Sequence, residues 1–195
     1  MASDEETSSV EYSRLGLLID GPMHGYELAR RFREESGIAT ILHAKRSNLY
    51  GMLAKLNRKG YLASDRIDQL NRPTKRIFHI TDDGMKAFMA WIQSPVENER
   101  TMRIGFLARL FFAYRESPAA ALDLVARQKI ACIAWRERQE QQRRRSVSGD
   151  TGTFDSLVYD FRAGQIDSTL AWLERCTRFL QGCAQRPADL HRSGT

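Results

Sequence analysis

The chain has 195 residues, 42% of them hydrophobic, enough to bury a core as one larger domain or two small ones, and this excludes disorder throughout. No apolar run approaches the roughly 18 to 20 residues that span a bilayer, and the opening MASDEETSSVEY is acidic where a signal peptide would be basic and then apolar. A cytoplasmic chain with no membrane partner is expected. The net charge of +6 is unevenly placed, because residues 43–79 alone hold nine Lys or Arg against two Asp, a local balance of +7.

In chain order, Ser8-x-x-Glu11 reads as a capping box ahead of the apolar run Leu15, Leu17, Leu18 and Ile19, which stops at Asp20-Gly21-Pro22. That predicts a short first helix and leaves residues 1–7 as a flexible tail. A second helix over about 24–36 turns Leu28 and Phe32, or Tyr26, Ala29 and Phe32, inward and stops at Gly37. Ser47 suits the N-cap of a third, with Leu49, Met52, Leu53 and Leu56 inward and Gly60 at its end. The period then drops from 3.6 to about 2. YLAS and KRIFHIT read as the strands of a hairpin, and the DRIDQLNRPT between them as a long basic tip. Thr81 caps a fourth helix, with Asp82 and Asp83 in its first turn and Met85, Phe88, Met89 and Ile92 on one stripe.

Residues 94–101 (SPVENERT) read as a junction to a second region. There Ile104, Leu107, Leu110, Phe111 and Tyr114 recur at three and four, and Ser117-Pro118 supplies an N-cap and N1 proline for a helix running to about Arg145. At 1.5 Å per residue that helix is about 40 Å long, more than a small globule needs, which points to a partner along it. A last helix, about 153–181, places Ile166, Leu170, Leu173, Thr177 and Leu180 at heptad-like intervals. The expected fold is mainly α with a small β-hairpin wing. It comprises an N-terminal winged helix-turn-helix over 8–93, a C-terminal helical, antiparallel or coiled-coil-like dimerisation domain over 102–182, and a second tail over 183–195.

On the third helix the side opposite the leucines is built from Ser47, Gly51, Ala54, Lys55 and Arg58, with Asn48 and Tyr50 on its margins. A helix that enters the DNA major groove must bring its axis close to the base edges, so small residues at the centre help and peripheral Lys and Arg reach phosphates. Gly51 sacrifices about 1 kcal/mol of helix propensity relative to Ala, which some benefit must offset. Lys45, Arg46, Ser47 and Asn48 lie where the free N–H groups of the helix start favour phosphate, and Asn48 could also read an adenine edge. Arg66, Arg72, Lys75 and Arg76 of the hairpin suit the flanking backbone or a minor groove. Double-stranded DNA carrying an inverted repeat is therefore the expected partner, together with a second copy of the chain through its C-terminal helices.

Cys132, Cys176 and Cys183 are odd in number and contain no CxxC pair, so neither a disulfide framework nor a zinc ribbon is implied. No metal, no cofactor and no catalytic activity are expected, since no GxSxG, HExxH, P-loop or dinucleotide glycine run occurs. Trp135 and Trp172 on the long helices are candidates to line a pocket for a small aromatic effector, although aromatic residues at helical spacing are more often core. The alternative reading is a small-molecule sensor or protein-interaction module whose winged helix does not touch DNA.

The runs LLIDGPMHGYELARRF, SNLYGMLAKLNRKGYL and RPTKRIFHITDDGMKAF resemble the PadR family of transcriptional regulators, through Gly21, Pro22, His24, Gly25, Tyr26, Glu27 and Leu28, the Leu-Tyr ahead of Leu-x-x-Leu, and the Ile-Thr-x-x-Gly ending at Gly84. Residues 103–180 are similar to the helical C-terminal domain of its larger members. The resemblance implies a dimeric winged-helix repressor, with release from DNA by phenolic compounds in some members. The family pattern has Pro where this chain has Gly51, and often acids at Arg58 and Lys59, so no operator sequence is carried over.

Overall fold

The computed structural model describes residues 4–42, 49–69, 72–147 and 152–184. Two compact units divide the chain, Met1–Ser94 with Thr101–Phe112, and Pro95–Arg100 with Ala113–Thr195. Residues 101–112 thus pack with the first unit. Burial explains it, because Ala108 and Phe112 join the first core and Ile104 and Phe111 lie against it. The buried positions here include Phe106, Ala108, Arg109 and Phe112, while Leu107 and Leu110 of the expected stripe are half-buried and Tyr114 is exposed.

The first unit opens with α1 (Asp4–Leu17), followed by a 3-10 turn (Leu18–Asp20), β1 (Met23–His24), α2 (Gly25–Glu34), α3 (Ser36–Ile41), α4 (Leu49–Arg58), β2 (Leu62–Gln69), β3 (Arg72–Ile80) and α5 (Asp82–Gln93). Helix α1 starts four residues before the expected cap, so residues 4–7 are helix rather than tail. Glu11 does not close a capping box, because its carboxylate faces Lys55 of α4 and Lys59 in the turn after it. The expected second helix is split into β1, α2 and α3, with Glu35 in an extended conformation between the two helices. Of the two inward faces the sequence allowed, Leu28 with Phe32 is the buried one, and Tyr26 is 61% exposed.

The sheet is antiparallel with order β1-β3-β2. Strand β1 pairs only Met23 with Phe78 and His24 with Ile77, so beyond that point β2 and β3 form a two-stranded ribbon. The ribbon stays paired out to Gln69 opposite Arg72, with an irregularity after Ile67. The expected ten-residue tip is therefore mostly strand. Pro73 lies in the stretch of β3 that β1 does not reach, where the strand pairs with β2 alone, the kind of edge position that tolerates proline. In the core, Tyr12 stacks on Trp91 with ring centroids 5.2 Å apart, and Phe88 meets Phe112 edge-on at 5.3 Å. Trp91, absent from the predicted stripe of α5, is more buried than the Met85 and Met89 that were on it.

A short 3-10 turn (Glu99–Thr101) and a π-helical turn (Met102–Phe106) lead into α6 (Leu107–Glu116). The second unit is dominated by α7 (Pro118–Val147) and α8 (Gly152–Ala184), the latter extending helix into residues 183 and 184 where a tail was expected. Lys129 pairs with Glu174 and Arg136 with Asp167, seven residues forward on α7 against seven back on α8, so the helices run antiparallel. Ala121, Leu124, Val125, Gln128, Cys132 and Trp135 of α7 are buried, as are Ile166, Leu173 and Leu180 of α8 at a strict interval of seven. Gln128 is satisfied in this apolar seam by accepting from the Val96 N–H at 2.8 Å.

Candidate nucleic-acid interface

Helix α4 is oriented from its C-terminal end. Gly60, at φ +74°, follows it in a left-handed conformation, with the Gly60 N–H on the Asn57 carbonyl at 2.9 Å and the Tyr61 N–H on the Leu56 carbonyl at 3.0 Å. This pair of bonds is a Schellman stop, which glycine adopts without the Cβ penalty. The Asn57 amide donates to the Leu62 carbonyl at 2.9 Å, and the Thr81 hydroxyl donates to the Gly60 carbonyl at 2.6 Å while accepting from the Gly84 N–H at 3.0 Å. A Cβ on Gly84 would lie 2.1 Å from the Tyr61 carbonyl oxygen. The Ile-Thr-x-x-Gly run thus ties the end of α4, the root of the hairpin and the start of α5 into one junction.

With Leu49, Met52, Leu53 and Leu56 buried, α4 turns Tyr50, Gly51, Ala54 and Arg58 to solvent, and Tyr50 is 68% exposed. A Cβ on Gly25 would meet the Tyr50 ring at 3.3 Å, so the glycine makes room for that ring at the start of α2 rather than bending the chain. His24 is structural too: its Nδ1 donates to the Arg76 carbonyl at 3.1 Å, pinning β1 to β3. Arg66 and Arg76 are cross-strand partners in the ribbon, both exposed and without an ion pair among the described residues. Like charges set directly opposite are unfavourable until an anion sits between them.

Lys55 stands apart from the other candidates. Its ammonium donates to a Glu11 carboxylate oxygen at 2.6 Å, and Lys59 lies 3.5 Å from the second oxygen. Beside this pair Arg14 is buried with no carboxylate partner among the described residues, its guanidinium 5.3 Å from the Phe32 ring centroid, its Nη1 2.8 Å from Met52 Sδ and its Nε without an acceptor among those residues. Desolvation lowers its pKa to about 10. Sequence reading missed both residues as partners of α4. The available signal was the one-turn spacing of Lys55 and Lys59, which places two cations on one side of the helix.

Lys45, Arg46, Ser47 and Asn48 lie outside the described residues, as do the side chains of Arg72 and Lys75. Trp135 is buried at a seam position of α7 and Trp172 is half-buried on α8. Among the described residues no His, Cys, Asp and Glu cluster could hold a metal, and no helix is long and apolar enough to cross a membrane.

The model of the transcriptional regulator PadR-like family matches residues 15–90, from the end of α1 into α5. The negative transcriptional regulator PadR of Bacillus subtilis is 26% identical over 149 residues, 76% of this chain and 75% of its own length. A probable transcriptional regulator of Mycobacterium tuberculosis, Rv1176c, is 30% identical over 79 residues, 40% of this chain and 41% of that one. A crystal structure of Bacillus subtilis PadR in complex with operator DNA aligns with a TM-score of 0.43 and 23% identity, over 86% of this chain and 97% of that one. The residues that shape α4 and the hairpin fall inside the matched span, so the likeness to the PadR-like family of transcriptional regulators is carried by residues 15–90.

Proposed function

We propose that the protein is a sequence-specific DNA-binding repressor, acting in the cytoplasm as a dimer on an inverted-repeat operator and without catalytic activity. The observation that carries this reading is the outer face of α4, where Gly51 and Ala54 lie between Tyr50 and Arg58 on a unit that also presents the Arg66 and Arg76 pair. Small residues let the helix axis approach base edges, and the arginines neutralise phosphates on either side. Lys45, Arg46, Arg72 and Lys75 extend the cationic surface, and Asn48 is assigned to base reading. Repression is favoured by the similarity to a negative regulator over three quarters of both chains.

Residues 8–93 are assigned to DNA and residues 102–182 to the dimer. Phe154, Leu157 and Phe161 support the second assignment, as all three are exposed on one stripe of α8 at intervals of three and four. Two α4 helices would then enter major grooves one turn, about 34 Å, apart. A small aromatic effector near Trp135 and Trp172 completes the reading, and tryptophan fluorescence titrated with phenolic acids tests that part.

An electrophoretic shift on random duplex across a salt series tests the whole. Binding should weaken steeply with salt, and Arg66→Ala with Arg76→Ala should flatten the log–log slope by about 1.8, about 0.9 for each phosphate no longer neutralised. If the protein moves no duplex even at low salt, the interaction-module reading replaces this one.

A further inference from the structure

Glu11 is a buried acid facing an exposed cationic helix. Its side chain is 3% exposed, while those of Lys55 and Lys59 are 45% and 42% exposed. The asymmetry matters. The Glu11 side chain sits mid-helix on α1 and is almost fully buried, so its carboxylate depends on the cations beside it. The lysines, in contrast, have flexible stems and could otherwise swing toward solvent. The carboxylate therefore commits both of them, and Lys59 is held further by the Tyr61 ring, 6.0 Å from its Nζ.

On the DNA-binding reading, we propose that Glu11 is a positioning residue that sets specificity by withholding Lys55 and Lys59 from phosphate. Sequence-independent affinity grows with the number of phosphates neutralised, whereas discrimination depends on the ratio of specific to general binding. Withdrawing two lysines from the phosphate backbone lowers the general affinity and leaves the small-residue face of α4 to decide the fit. The same ion pairs hold the last turn of α4 against α1, across 44 and 48 residues of sequence.

The experiment uses the full chain and a random-sequence duplex, reading affinity against salt. Lys55→Ala and Lys59→Ala should each leave the log–log slope unchanged. Glu11→Gln should tighten binding at low salt and steepen the slope by up to about 1.8, which adding both lysine substitutions to Glu11→Gln should abolish. A slope that flattens by about 0.9 in Lys55→Ala alone overturns the proposal, as does a folded Glu11→Gln protein with the parental slope. If Glu11→Gln fails to fold, the single lysine variants still decide. A parent chain that binds no duplex overturns the DNA-binding reading itself, whereas a bound parent with a lysine-sensitive slope overturns the role of Glu11 only.

Discussion

The two units handle buried polar groups in opposite ways. The winged-helix unit is assembled from short elements and takes charges into its interior: Glu11 is paired, Arg14 rests on an aromatic ring and a sulfur, and Arg109 spans Trp91, its Nε donating to the Trp91 carbonyl at 3.1 Å. The helical unit buries one polar side chain among its described residues, Gln128, and sets its ion pairs along the outside of the α7–α8 seam. Close backbone approach and long-range charge pairing shape the first; a repeating apolar stripe shapes the second. The first unit should therefore be brittle at particular atoms, and the second should respond in proportion to the volume removed.

The sharpest break expected is Gly84→Ala. A methyl group 2.1 Å from the Tyr61 carbonyl oxygen forces the junction of α4, the hairpin and α5 apart. The destabilisation should be about 3 kcal/mol or more, seen as a collapse of the thermal midpoint. Leu173→Ala in the seam should follow at about 2 to 4 kcal/mol, a cavity effect measurable in a urea titration without loss of helical circular dichroism at low denaturant. If Leu173→Ala proves the more damaging of the two, the contrast between the units fails.

Arg14→Met should go the other way. Replacing a buried cation that has no carboxylate partner among the described residues by an apolar side chain of similar length should stabilise by about 1 kcal/mol, raising the melting temperature by about 2 to 4 °C. Because desolvation lowers the folded pKa to about 10, the charged form is penalised at every pH below that value, and the penalty fades only as pH rises above it. The gain should accordingly be flat from about pH 5 to 9, and a gain that varies across that window would locate the effect elsewhere. The smallest change is expected for Glu174→Gln, whose pair with Lys129 is partly solvent-exposed: under about 1 kcal/mol, shrinking with added salt in the same melting assay.

Much of the local architecture was legible in the amino-acid sequence. The leucine spacing of α4, its stop at Gly60, the Thr81 cap and the heptad of Ile166, Leu173 and Leu180 all depend on neighbours within a few turns, so period and capping chemistry suffice to read them. The β1 strand and the split of α2 from α3 were not legible, because a two-residue strand exists only where β3 offers it a partner. Nor was the paired ribbon beyond Asp65, since a proline inside a run argues against strand until the free edge is known.

What the sequence determined by itself is a short helix with a greasy inner side and a small, cationic outer side, followed by a hairpin and a long helical pair. Only the tertiary structure decided which cations are committed and which are available. That choice depends on Glu11 meeting Lys55 and Lys59 from another helix, and an ion pair between residues more than forty positions apart leaves no periodic trace in the chain.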